Sequence, residues 1–308
     1  MRQRIHDAAA SVGAQAQEPH VIRFAKYEAL GNAYIVLECD GEVDAQIIGR
    51  LCDDRHGLGG DGILIPFRMD DSQPGVRVLN PDGSEAEISG NGVRIFARYL
   101  WDQGVARAAA FEVTTATRPV LCEVSDNGRA VSARLGRASF CSANIPVTGP
   151  PREVLEESMV VAGQSLGYSA VNIGNPHCVL LRQQVSEEET RRLGPMIETD
   201  GRFPNRTNVQ FVRVLSRDSL QIEIWERGAG RTLSSGSSSA AAAAVAHRLG
   251  FCNAEVTVHM PGGQLQVRIE AGYEVVIRGP VAHIASGEIA PETMAAENSG
   301  RWAFITKT

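Results

Sequence analysis

The chain has 308 residues, a formal charge of −6, 43% apolar and 21% charged side chains, and no dense run of Lys or Arg. That balance suits a soluble globular protein and argues against nucleic acid or an anionic membrane as a partner. No apolar run approaches the roughly 20 residues of a membrane span, and the length points to two domains rather than one core.

Residues 1–20 are rich in Ala, Gln and Arg and contain no Leu or Phe. They read as a disordered extension, because a signal peptide needs a continuous apolar stretch. Period-2 segments follow at residues 21–26, 34–38, 62–67, 76–79, 111–115, 121–124 and 131–135. A second series runs through 171–173, 178–181, 209–215, 220–225, 255–259, 265–269 and 274–278. Gly, Pro, Asn and Asp punctuate both series, so the spacing predicts many short strands joined by turns. Each half also carries two helical stretches. Residues 45–53 and 186–196 look surface-facing; residues 91–101 and 237–249 are apolar and small, the latter almost pure Ala between 239 and 247. Ala favours a helix and lets neighbours approach closely, so each of the latter pair is expected inside a curved sheet. Residues 142–157, with three prolines, read as the connection between halves. Residues 290–308 show no clean period, and where Trp302 and Phe304 dock is not legible.

Six cysteines stand at Cys39, Cys52, Cys122, Cys141, Cys178 and Cys252 with no C-x-x-C pair. They read as reduced thiols of a cytoplasmic protein, without a disulfide framework or a zinc site. No His and carboxylate cluster has metal spacing. No lysine has a pyridoxal phosphate context, so no cofactor is expected. Gly57-Leu58-Gly59-Gly60-Asp61-Gly62 lacks the Lys-Ser/Thr of a phosphate loop and reads as a tight turn near a pocket.

A long-range repeat organises the rest. Gly31-Asn32-Ala33-Tyr34-Ile35-Val36-Leu37 matches Gly174-Asn175-Pro176-His177-Cys178-Val179-Leu180, and Ser89-Gly90 matches Ser235-Gly236. Nine residues before each serine is a polar residue, Asn80 or Glu226. Two motifs in the same order at near-equal separation imply two copies of one domain, with the Ser-Gly turns facing each other across a pseudo-two-fold axis. Two such groups suit a reaction at a carbon with two faces.

Each Ser-Gly turn opens a helix, where free N–H groups and the dipole make an anion site. Gly90-Asn91 and Gly236-Ser237 could take a carboxylate; simple capping by Ser89 and Ser235 is the plainer account. Glu226-Arg227 beside a glycine turn could hold an ammonium and a carboxylate, or be a surface ion pair at a strand end. Asn32, Asn80, Asn175 and Asn208 could line a polar pocket or simply serve turns. His177 could be a base, an orienting group or a structural histidine.

From about residue 24 to 289 the chain resembles the diaminopimelate epimerase family. The matching motifs are residues 26–34, residues 55–62, Asn80-Pro81-Asp82-Gly83-Ser84 leading into Ser89-Gly90-Asn91-Gly92, Gly174-Asn175-Pro176-His177, residues 205–208, and Glu226-Arg227-Gly228-Ala229-Gly230 leading into Ser235-Gly236. The resemblance implies an α/β (α+β) fold of two pseudo-symmetric lobes, each a barrel-like, mostly antiparallel sheet around a central helix. Residues 21–140 would form the first lobe and 141–279 the second, with 280–308 returning to the first. Asn32, Asn80, Asn175, Asn208, Glu226 and Arg227 would hold the amino and carboxylate groups of a small amino-acid substrate in the cleft between lobes. Gly90-Asn91 and Gly236-Ser237 would contact its α-carboxylate, with His177 near the reacting centre. Ser89, Ser235, His177 and Glu226 would be the catalytic set, without metal or cofactor, in a chain that pairs as a homodimer.

The chain departs from the family where chemistry matters most. Ser89 and Ser235 stand where the family carries two catalytic cysteines, Ala33 where Asp is usual, and Ser238 where a second glycine is usual. A hydroxyl is a far weaker base than a thiol unless a neighbour activates it. The expected activity is therefore a diaminopimelate epimerase-like isomerisation, with two alternatives: one-base isomerisation or dehydration, and amino-acid binding without catalysis.

Overall fold

Alternation of apolar side chains decides the strands: in β1 (Ile22–Ala29), Ala25, Tyr27 and Ala29 are buried and their neighbours less so. The computed structural model describes residues 22–39, 41–67, 73–86 and 89–294. The expectations for residues 1–20, Trp302 and Phe304 lie outside the described residues.

After β1 come β2 (Asn32–Glu38), α1 (Ala45–Cys52), β3 (Gly62–Phe67), β4 (Gly75–Leu79), α2 (Gly90–Asp102), β5 (Ala110–Thr114), β6 (Pro119–Ser125) and β7 (Ala130–Arg137). The second half holds β8 (Glu157–Val161), β9 (Gln164–Asn172), β10 (Pro176–Leu181), α3 (Glu187–Glu198), β11 (Asn208–Ser216), β12 (Ser219–Glu226), β13 (Gly230–Thr232), α4 (Gly236–Arg248), β14 (Glu255–Met260), β15 (Gly263–Ile269) and β16 (Glu274–Pro280). Then follow β17 (Ala282–Ile289) and the short α5 (Pro291–Met294).

The ladders reveal the duplication. One lobe runs β17, β1, β2, β3, β4, β5, β6, β7, and its successive pairings are antiparallel, antiparallel, parallel, antiparallel, parallel, antiparallel and antiparallel. The other runs β8, β9, β10, β11, β12, β14, β15, β16 with the same succession. The last strands of the two series, β7 and β16, pair antiparallel with each other. That ladder is where the pseudo-two-fold axis passes. The expected α/β fold of two similar lobes is thus what the chain adopts. β17, after the second lobe, closes the first by pairing with β1.

Each sheet wraps a helix. α2 packs against β1, β2, β4, β6 and β7, and α4 against β9 to β12 and β14 to β16. Residues 236–246 of α4 are all buried. Alanine loses no rotamer freedom and keeps the sheet near. The core around these two helices continues across Ile277 and Val275, while separate clusters sit under α1 and α3. Residues 142–157 are no loose tether: Ile145, Val147 and Val154 are buried in the cluster beneath α3. Three prolines restrict that segment without exposing it.

The helix starts meet at the axis. A Cβ placed on Gly90 would lie 3.1 Å from the Cα of Gly236, and one on Gly236 would lie 3.1 Å from the Cα of Gly90 and 2.9 Å from Ile277 Cδ1. Only glycine permits this approach. Gly236→Ala is expected to lower stability by about 1–3 kcal/mol, the usual cost of overpacking a filled site. Thermal or urea unfolding of the variant measures it, and an unchanged midpoint would mean that the lobes yield.

Candidate active site

A cleft of about 790 Å³ opens beside this contact, and both lobes supply its walls. The size suits a small organic ligand. Asn32, Asn80, Ser89, Gly90, Asn91, Asn175, Asn208, Glu226, Arg227, Ser235, Gly236 and Ser237 all line it, so twelve of the thirteen expected residues are gathered here. The exception is His177.

The turns before β2 and β10 explain how the asparagines arrive. Gly31 and Gly174 have φ of 78° and 102°, left-handed values that only glycine adopts without strain. Each turn delivers Asn32 or Asn175 to the cleft. Ser89 and Ser235 cap α2 and α4: Ser89 Oγ accepts from Gly92 N at 3.0 Å and Ser235 Oγ from Ser238 N at 3.3 Å. The plain capping role and the cleft position therefore coexist. The first N–H groups of a helix lack acceptors within it, and each N-terminus carries roughly half a positive charge. Two such termini in contact make an electropositive floor suited to a carboxylate.

The serines have different neighbours. Tyr34 Oη lies 3.2 Å from Ser89 Oγ, and either atom can donate. Burial pushes the Tyr34 phenol well above its ordinary value. The Ser235 hydroxyl instead meets the Glu226 carboxyl, which burial raises above the usual carboxylate range; the Ser235 bond opposes that rise and the charge of Asp61 adds to it. Ser235 Oγ is also 3.4 Å from Ser237 Oγ.

A second layer holds the walls. Arg94, wholly buried, donates from Nη2 to Asn91 Oδ1 at 2.6 Å, and Asn91 Nδ2 donates to Asn32 Oδ1 and to Ser234 Oγ, each at 3.1 Å. This chain fixes the amide of Asn32 with its oxygen occupied and its N–H groups available. Asn208 is a brace: its Oδ1 accepts from Arg227 N at 3.0 Å and its Nδ2 donates to Pro176 O at 2.9 Å. Glu198 accepts from Trp225 Nε1 at 2.7 Å, from Gly228 N at 2.8 Å and from Arg206. It thereby pins the turn that bears Glu226 and Arg227. Arg227 Nη1 donates to Asn205 O at 3.2 Å. Asn80 Nδ2 donates to Ser84 Oγ at 3.0 Å. Asp61 accepts from Ala33 N at 2.7 Å, so a backbone group meets a carboxylate at the position where Asp was expected.

His177, expected near the reacting centre, lies one layer back. It is fully buried, with Nε2 2.7 Å from Asn175 Oδ1 and its other face toward Gln210. Burial lowers its pKa to about 3, and nearby Arg227 adds to the lowering. The ring is therefore neutral and a feeble base, and its evident work is orienting Asn175. Asn175 lies in the turn before β10 and faces the cleft, while His177 inside β10 is packed in the wall behind it.

Sequence reasoning missed Tyr34, Asp61, Arg94 and Glu198. The repeat contained a signal for the first, since it aligned Tyr34 with His177. Arg94 sat in a predicted helix and Glu198 just beyond the end of another, and nothing local marked them as buried. Among the described residues no group of three or more His, Cys, Asp or Glu side chains is disposed to hold a metal ion, and no helix is long and apolar enough to cross a membrane.

The model of the family described as diaminopimelate epimerase matches residues 24–141 and 169–284. The chain belongs to the diaminopimelate epimerase family. It is 45% identical over 280 residues to the diaminopimelate epimerase 2 of Nostoc sp. (strain PCC 7120), covering 90% of this chain and 98% of that one. It is 34% identical over 275 residues to the diaminopimelate epimerase of Pelotomaculum thermopropionicum, covering 87% and 98%. Among solved structures, a hydroxyproline epimerase from Agrobacterium vitis shares the fold with a TM-score of 0.63 at 12% identity, covering 90% and 95%. Membership in the diaminopimelate epimerase family makes the chain an enzyme of the epimerase and racemase class, an isomerase acting on a small amino-acid substrate. The two matched blocks correspond to the two copies of the repeat.

Proposed function

We propose that the chain moves a proton at the α-carbon of diaminopimelate or a related amino acid, without a cofactor, in the cleft between its lobes. One observation carries this reading: Ser89 and Ser235 stand at the starts of two touching helices on the wall of a single cleft. A carboxylate on the helix starts would lie across the pseudo-axis, with its α-carbon between the two hydroxyls. Asn32, Asn80, Asn175, Glu226 and Arg227 supply the polar groups that an amino acid's ammonium and carboxylates require. In cells the same reading makes the chain a cytoplasmic biosynthetic enzyme acting as a homodimer, with lobes divided near residues 140 and 280.

A second reading is favoured by the unequal surroundings of the serines. Among the described residues, Ser235 meets the Glu226 carboxyl and Ser89 meets the Tyr34 hydroxyl. Glu226 acting through Ser235 would be a single base, suited to isomerisation or dehydration with Ser89 as a hydrogen-bond donor.

Incubation in D2O with L- and D-amino acids and the stereoisomers of diaminopimelate, followed by mass spectrometry and chiral separation, tests both. Deuteration at Cα with inversion is the expected result. Deuteration with retention alone supports the single base. Binding without exchange would leave an amino-acid-binding protein and overturn the isomerase reading.

A further inference from the structure

The repeat aligns Tyr34 with His177, and the ladders agree: Tyr34 pairs with Gly62 across the parallel ladder from β2 to β3, as His177 pairs with Asn208 from β10 to β11. The lobes use this shared position differently. His177 turns to Asn175 and Gln210. Tyr34 extends along the cleft wall and ends 3.2 Å from the Ser89 hydroxyl. Space for its ring is provided by Gly62, where a Cβ would lie 2.7 Å from Tyr34 Cε1. The other repeat-related pair is equally unequal, with Glu226 beside Ser235 where the first lobe has Asn80, tied to Ser84.

Resting on the isomerase reading, we propose that Tyr34 is the positioning residue that makes Ser89 a proton donor, so that the cleft has one acid face and one base face. On the Ser235 face the Cα–H bond breaks and its electron pair stays on the substrate, delocalised toward the α-carboxylate. Ser235 Oγ takes the α-proton as its own hydroxyl proton passes to the Glu226 carboxylate. On the other face that electron pair forms a new Cα–H bond with the Ser89 hydroxyl proton, and the Tyr34 hydroxyl proton replaces it on Ser89 Oγ. Inversion thus leaves Glu226 protonated and Tyr34 ionised, and water carries one proton back from Glu226 to Tyr34. A phenol is a stronger acid than an aliphatic hydroxyl, so the charge left behind is more stable on Tyr34 than on Ser89. Burial keeps Tyr34 protonated at rest and so ready to donate, though it makes the phenolate costly. The opposite epimer runs the same steps in reverse, with Ser89 Oγ taking the α-proton as its hydroxyl proton returns to the Tyr34 oxygen.

Two consequences are measurable. The epimer that presents its α-hydrogen to Ser235 takes up deuterium with retention faster than it inverts, whereas the opposite epimer takes up deuterium only as it inverts. Tyr34→Phe removes one oxygen and lowers the ratio of inversion to retention exchange by tenfold or more, the scale of losing one donor to a developing oxyanion. Ser89→Cys in the Tyr34→Phe background restores the ratio, because a thiol needs no second donor. Calorimetric binding of diaminopimelate checks that the variants are folded. An unchanged ratio, an equal fall in both reactions, or failure of Ser89→Cys to restore the ratio overturns the role of Tyr34 and leaves the isomerase reading standing. A wild-type protein that exchanges neither epimer overturns both.

Discussion

Exchange of the α-hydrogen is expected to fall by about 10²–10⁴-fold when Glu226 is replaced by Gln, the usual loss on removing a general base, while the melting temperature at neutral pH rises. The two effects share one cause. The Glu226 carboxyl is raised above its ordinary value by burial, with Asp61 adding to the rise. The folded chain then holds that proton more tightly than the unfolded chain does. Stability falls as pH climbs from the unfolded value through the folded one, and above that window the buried charge is a standing cost. Gln carries no charge, so its advantage in melting temperature grows across the same window and then levels off. Activity runs the other way, because only the ionised carboxylate takes a proton from Ser235, and it rises through the window to a plateau. Deuterium exchange and melting measured together from acid to neutral pH check both curves. Undiminished exchange in Glu226→Gln would remove the carboxylate from the chemistry.

The double substitution of Ser89→Cys with Ser235→Cys is expected to raise the rate of inversion by at least about a hundredfold. A thiol ordinarily titrates near pH 8.5, and a helix N-terminus lowers it further; a hydroxyl lies several units higher, and proton-transfer efficiency follows such differences. The side chain of residue 89 packs over Gly92, where a Cβ would crowd Ser89 Oγ at 3.2 Å, so the glycine keeps that space open. With thiols the same neighbours would exchange the roles that the two serines have. The Tyr34 hydroxyl would stabilise a thiolate at 89, while the Glu226 charge would favour a protonated thiol at 235. Single variants should gain less, since each leaves one face with a hydroxyl. Inversion rates of wild type, single and double variants compare these outcomes. No gain in the double variant would count against assigning the reacting faces to these positions.

Much of the architecture was legible because it is written in local periodicity. Residues 62–67 were expected as a strand and form β3 without change, and the expected helices at 45–53, 91–101, 186–196 and 237–249 differ from α1 to α4 by only a few terminal residues. β17 was missed for a physical reason. Seven of its eight residues are exposed or only partly buried, so it has no apolar alternation, and it exists because its backbone pairs with β1. β13 is the three-residue Gly230-Arg231-Thr232, with no apolar side chain to mark it, and in β8 Met159, Val160 and Val161 are apolar in succession, with Val160 exposed, so no alternation shows. Most of β9 was overlooked as well, since only its end carries the apolar run that marked residues 171–173.

The site divides along the same line. Ser89, Ser235, Glu226 and the asparagines could be picked out because the repeat placed like residues at like positions. The pairing of Tyr34 with Ser89 joins residues 55 apart in the chain, and Asn91, anchored by Arg94, reaches Asn32, 59 residues away. His177 and Asn175 are near neighbours in sequence, but the burial of the one behind the other is set by the surrounding wall. By itself the sequence determined the duplication, most strands, the buried helices and the polar residues of the cleft, since each is a matter of spacing and side-chain type. Only the tertiary structure decided which hydroxyl meets a phenol and which a carboxylate. Two lobes built alike present equivalent positions, and the direction each side chain takes there is set by what the folded neighbours leave open.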